Sequence, residues 1–234
     1  VTLLQLAIGY VGVTIGALTV AGLLLRGRAF ICRAFTLYLS FIVVVDVLAL
    51  RLPDRYWTMQ FWLFKRTALD VLELSIAVEL AYWIFLGFPG AARNARAVVF
   101  LFLVGTLVAV LMFPHEVLTH DQSNLVLGSL RLRLEVGVAW LFTAIAALVR
   151  WYDIPLPSIH RSIMLGFVIH LFVFSTLLET VAAHGYAWAV PIITLSPAAF
   201  MIISCWWAWT AWRPEPALEV APELMAVLQP WRSR

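Results

Sequence analysis

The sequence predicts an all-α fold: a polytopic membrane bundle of seven transmembrane helices, N-terminus outside and C-terminus cytoplasmic. Three observations predict it. The 234-residue chain is 63% hydrophobic and 12% charged, against about 45–50% and about 25% in soluble domains, so it cannot cover a surface with polar groups. Seven apolar stretches approach the roughly 20 residues that a helix needs to cross the hydrocarbon layer. Lys and Arg gather near the ends of those stretches, more on one side than on the other.

In chain order the spans fall at roughly 3–25, 30–50, 66–88, 97–113, 132–150, 161–183 and 187–212. Turn and charge signals separate them: Arg26-Gly27-Arg28, then Arg51 to Arg55 with Pro53, then Phe88-Pro89-Gly90, then Phe113-Pro114 through Gly128, then Asp153 to Pro157, then the brief His184-Gly185. With no basic region ahead of its apolar run, the N-terminal stretch is expected to be a first span rather than a cleaved signal peptide. Gly9, Gly12 and Gly16 mark span one for close helix packing, with Gly12 and Gly16 in small-xxx-small spacing. Pro191 and Pro197 are expected to kink span seven. One membrane domain, 1–212, is followed by a Pro-punctuated tail, 213–234. Pro222 could open a short amphipathic helix there, with Leu224, Met225 and Leu228 on one strip.

Orientation follows from the basic residues. Arg26, Arg28, Arg33, Arg93, Arg96, Arg150, Arg161, Arg213, Arg232 and Arg234 fall on one side; Arg51, Arg55, Lys65, Arg66, Arg131 and Arg133 fall on the other. The richer side should be cytoplasmic. Cys32 and Cys205 then lie in the cytoplasmic half, where thiols stay reduced. The Trp and Tyr residues cluster near span boundaries and read as interface anchors.

The acids are the informative departure. Placed by depth, Asp46, Asp70, Glu73, Glu135 and Glu179 come from four spans yet share the outer side with Arg66, Arg133 and His184. An ionised group facing lipid near a helix centre costs about 2.5–3.5 kcal/mol on insertion scales, so these side chains should turn inward and pair. The expectation is an outer polar cluster that holds a ligand or an ion, or that only locks helices. Asp70 and Glu73 share a helix face, with Arg66 as a local partner. Counted from Arg66 and from Arg161, Glu79 and His170 reach similar depth and are expected to pair in mid-membrane.

Several chemistries are excluded. Lys65 is the only lysine, so a microbial-type retinal Schiff base in the last helix fails. Five His and two Cys are too few for a metal cluster or a disulfide framework. No phosphate loop, HExxH or GxSxG motif is present, and no catalytic residues or metal are predicted. No cofactor is predicted either, although His170 could serve a haem or a chlorophyll-type pigment as single axial ligand. The arginines sit at helix ends rather than in a run, which argues against nucleic-acid binding.

"ELAYWIFLGFPGAARNAR" (79–96), "LRLRLEVG" (130–137), "LLET" (177–180) and "WRPEPA" (212–217) together resemble a loosely defined group of uncharacterised bacterial seven-helix integral membrane proteins. The resemblance implies architecture and no chemistry. The residues themselves leave two functional classes. One is a non-catalytic accessory or scaffold subunit of a larger assembly in the cell (inner, cytoplasmic) membrane, with lipid and membrane proteins as partners. The other is a receptor-like sensor that takes a small ligand at the outer polar cluster. A channel or transporter comes third.

Overall fold

The computed structural model describes residues 3–56, 58–86, 122–151, 154, 156–184 and 189–214. The fourth predicted span and the predicted tail helix lie outside them. The described elements are α1 (Leu3–Leu25), a 3-10 turn (Arg28–Phe30), α2 (Arg33–Arg51), α3 (Pro53–Tyr56), α4 (Met59–Leu86), α5 (Gln122–Trp151), α6 (Ser158–His184) and α7 (Ala189–Trp212). The fold is all-α. Among the described residues three helices are long and apolar enough to cross a membrane: α1 over Leu6–Leu25, α2 over Arg33–Arg51 and α6 over Ser158–Leu177. The chain is thus a membrane protein with transmembrane helices.

Two predicted boundaries shift. α4 starts at Met59 rather than 66, and α5 at Gln122 rather than 132. An apolar stretch ends at the first charges, but backbone hydrogen bonding carries the helix on through them. Thr58 supplies the start of α4: its Oγ1 accepts from the Phe61 N–H at 3.2 Å. Gly27 marks the turn after α1. Its φ of +67° is in the left-handed region, and its N–H donates to the Leu24 carbonyl at 3.0 Å, as a helix-ending glycine does.

The six long helices close a ring in which α1 packs on α2, α2 on α4, α4 on α5, α5 on α6, α6 on α7, and α7 on α1. Each buries a stripe at helical spacing. On α4 the stripe is Leu69, Glu73, Ile76, Ala77, Leu80, Ala81 and Ile84; on α6 it includes Ile159, Ile163, Met164, Phe167 and Leu171. The outward faces carry large apolar side chains such as Leu37, Val44, Phe172 and Ile202.

Aromatic rings fill the centre. Trp207 of α7 is fully buried. Its ring lies 5.0 Å from Phe35 of α2 and 5.2 Å from Phe167 of α6, and Phe167 stacks on Phe142 of α5 at 4.9 Å. Lipid is as apolar as these rings, so the stabilisation comes from close packing and dispersion rather than from escape from water. Gly166 makes the fit: a Cβ there would stand 2.4 Å from the Trp207 indole nitrogen. Trp207 therefore corrects the reading of the tryptophans as interface anchors. Trp212, at the end of α7 and exposed, donates its Nε1–H to the Leu18 carbonyl at 3.0 Å.

The span-one glycines are also re-sorted. A Cβ on Gly9 would meet Leu50 at 3.1 Å and one on Gly16 would meet Val43 at 2.8 Å, whereas one on Gly12 would meet nothing within 4 Å. The seam against α2 therefore uses Gly9 and Gly16, two turns apart, and not the Gly12–Gly16 pair. Pro197 sits inside α7, which runs on unbroken from Ala189 to Trp212.

Candidate functional site

Polar groups gather at three levels of the ring. At the level where α2 starts, both oxygens of Glu79 accept from backbone: Arg33 N–H at 2.7 Å and Ala34 N–H at 2.8 Å. α2 needs this. Its N-cap is Cys32, which makes no side-chain capping bond, and its first turn carries no acid. A helix start presents unpaired N–H groups and a partial positive charge; a carboxylate from α4 answers both. The same end holds the converse. α7 has no basic residue in its last turn, and Arg28, 5% exposed, donates to the carbonyls of Thr210 at 2.6 Å and Arg213 at 2.7 Å. Ser162 and Trp207 tie α6 to α7 beside it: the indole N–H donates to the Ser162 carbonyl at 3.0 Å, and the Ser162 hydroxyl to Thr210 Oγ1 at 3.2 Å.

The expected Glu79–His170 pair is therefore corrected. Glu79 is committed to the start of α2, and one turn further on the Trp83 ring lies 5.4 Å from that of His160, tilted by 51°, and not beside His170. His170 lies ten residues along α6 from His160, about 15 Å at 1.5 Å per residue. The depth count failed because it began at Arg66, whereas α4 begins at Met59. The His170 ring instead packs 5.1 Å from Phe200 and 6.2 Å from Phe174. A haem or chlorophyll-type pigment on His170 would have to compete with those two rings.

The second level lies between α2, α4 and α6. Arg66 Nε reaches Asp70 Oδ1 at 3.1 Å, one helical turn on, as its spacing predicts. The guanidinium also lies 5.4 Å from the centre of the Phe174 ring, a cation–π approach. Glu73, 1% exposed, stands near the Tyr38 hydroxyl of α2. Tyr38 itself is 2% exposed.

The third level is where α2 ends. Lys65 Nζ of α4 meets Asp46 Oδ1 of α2 at 2.5 Å, with side-chain exposures of 28% and 33%. The pair lines a cavity of about 580 Å³ together with Gly9, Ala49, Leu50, Tyr56, Thr58, Phe61 and Trp62.

Of the expected outer cluster, the described side chains show an Asp46–Lys65 pair, an Arg66–Asp70 pair and a buried Glu73 near Tyr38. The side chains of Arg133, Glu135, Glu179 and His184 lie outside the described residues. Among the described residues no group of three His, Cys, Asp or Glu is placed to hold a metal, and Cys32 and Cys205 are free thiols. Sequence reasoning missed Tyr38, His160, Arg28 and Trp207. A signal existed for one of them: Arg28 follows a turn glycine at the end of a span, where a cation can reach a neighbouring helix terminus.

Comparison with protein families, with curated proteins and with solved structures gives no match to this chain.

Proposed function

We propose that the chain is a non-catalytic, multi-pass membrane protein that serves as an accessory or scaffold subunit of a larger assembly in the cell (inner) membrane. One observation carries the reading: two charged side chains at the α2-start level, Glu79 and Arg28, are committed to backbone groups of other helices. Charge that serves helix termini stabilises a fixed shape. The seven-span topology belongs to the same proposal. α4 and α5 are neighbours that run the same way along the bundle: Trp83 meets His160 and Arg66 meets Phe174, so α4 lies antiparallel to α6, and α5 reverses into α6. Neighbours of like direction need an odd number of crossings between them, and the apolar stretch 97–113 supplies one. The surplus of Arg at the Arg28 end makes that end cytoplasmic and the N-terminus external.

The test is to purify the tagged chain in mild detergent and weigh the particle by native mass spectrometry. A heteromer of fixed stoichiometry is the expected result. A monomer or homo-oligomer that retains every property of the membrane-borne protein would overturn the accessory role. Accessibility of single cysteines placed at Thr58 and Arg26 tests the orientation: a membrane-impermeant maleimide added outside should label only the first.

A further inference from the structure

The cavity where α2 ends has a feature that the locking role leaves unused. Its wall is mainly apolar and aromatic, yet it carries an acid and a base side by side, both partly open to it. Its volume of about 580 Å³ falls in the range of small-molecule sites, ~300–1,000 Å³. A free cation would satisfy Asp46 and strand Lys65; a free anion would do the reverse. A ligand that carries both charges, an amine and a phosphate a few bonds apart, meets both at once and leaves no charge unpaired. The site also sits beside α1 and α2, two of the membrane-crossing helices, with Tyr56 and Trp62 on its wall, at the level where aromatic rings meet headgroups.

We infer that this cavity is a lipid site that takes the headgroup of a zwitterionic, amine-bearing phospholipid: phosphate on Lys65, primary ammonium on Asp46, and the upper acyl chain along Leu50, Phe61 and Trp62. Gly9 keeps the α1 side of the wall low enough to admit the chain. The inference is independent of the accessory role.

The experiment is native mass spectrometry of the full chain in detergent with added phosphatidylethanolamine, phosphatidylcholine or phosphatidylglycerol. Phosphatidylethanolamine should bind about tenfold more tightly than either of the others, the worth of one charge-assisted hydrogen bond. Phosphatidylcholine lacks the N–H that Asp46 would accept, and phosphatidylglycerol lacks the ammonium. Asp46→Asn should remove the preference over phosphatidylcholine, and Lys65→Met should weaken all three lipids, while Lys65→Arg retains binding. Should a charge variant fail to fold, Ala49→Phe decides: it fills the cavity, leaves the pair intact, and should abolish retention. Equal binding of the three lipids, retention unchanged in folded Asp46→Asn or Ala49→Phe, or full displacement by soluble phosphoethanolamine each overturns the lipid site.

Discussion

At the end of the bundle where α2 begins, Glu79 and Arg28 are committed to backbone: one covers the open N–H groups of α2, the other the open carbonyls of α7. At the end where α2 finishes, Asp46 and Lys65 are committed to each other beside a cavity. The contrast separates two uses of charge in an apolar chain. A charge on a helix terminus fixes where two helices meet, and it cannot leave without exposing backbone groups to hydrocarbon. A charge paired with another charge in a partly open wall can exchange its partner for a ligand. The first end should therefore carry stability and the second should carry exchange.

That contrast can be broken by substitution. The largest effect is expected at the closed end for Trp207→Ala, which empties the space between Phe35, Phe167 and Phe200. Large-to-small changes of this kind cost about 3–5 kcal/mol, read as a lowered midpoint of thermal unfolding in nanodiscs. A midpoint within a degree of wild type would remove Trp207 from the core. Gly166→Ala comes next. The new methyl meets the Trp207 ring, and overpacking of this sort costs about 1–3 kcal/mol; the double variant Gly166→Ala/Trp207→Phe should recover part of the loss. Failure of the smaller ring to rescue would place the strain elsewhere.

At the open end the expected effects are smaller. Lys65→Met removes a partly exposed ion pair, for which about 0.5 kcal/mol is typical. A loss as large as that of Trp207→Ala would show that the two ends are equally rigid. Gly12→Ala is expected to leave stability unchanged or slightly raised, because nothing faces its Cβ and Ala favours the helix by about 1 kcal/mol. Gly16→Ala should lower stability, since Val43 has to move. The reverse order in the melting midpoints would restore the Gly12–Gly16 seam.

Much of this architecture was legible in the sequence. Span one matched α1 residue for residue, because its apolar run is uninterrupted and Gly27 ends it. The Arg66–Asp70 pair was legible because its spacing is local to one helix. The Glu79–His170 pairing failed for the opposite reason. It required relative depth on two helices, and depth depends on where each helix begins, which Thr58 sets for α4 and hydropathy does not reveal. Tyr38 and Trp207 were illegible as core residues, since an apolar helix gives no contrast between its lipid-facing and its buried sides.

A carboxylate from α4 caps α2, and the thermal unfolding of Glu79→Ala in nanodiscs reads the strength of that cap. A loss of about 3–6 kcal/mol is expected, from two charge-assisted bonds that net about 1.5–3 kcal/mol each, with Glu79→Gln falling between Ala and wild type because one acceptor remains. A Glu79→Ala protein that melts with wild type, or a Gln variant as damaged as the Ala variant, would contradict it.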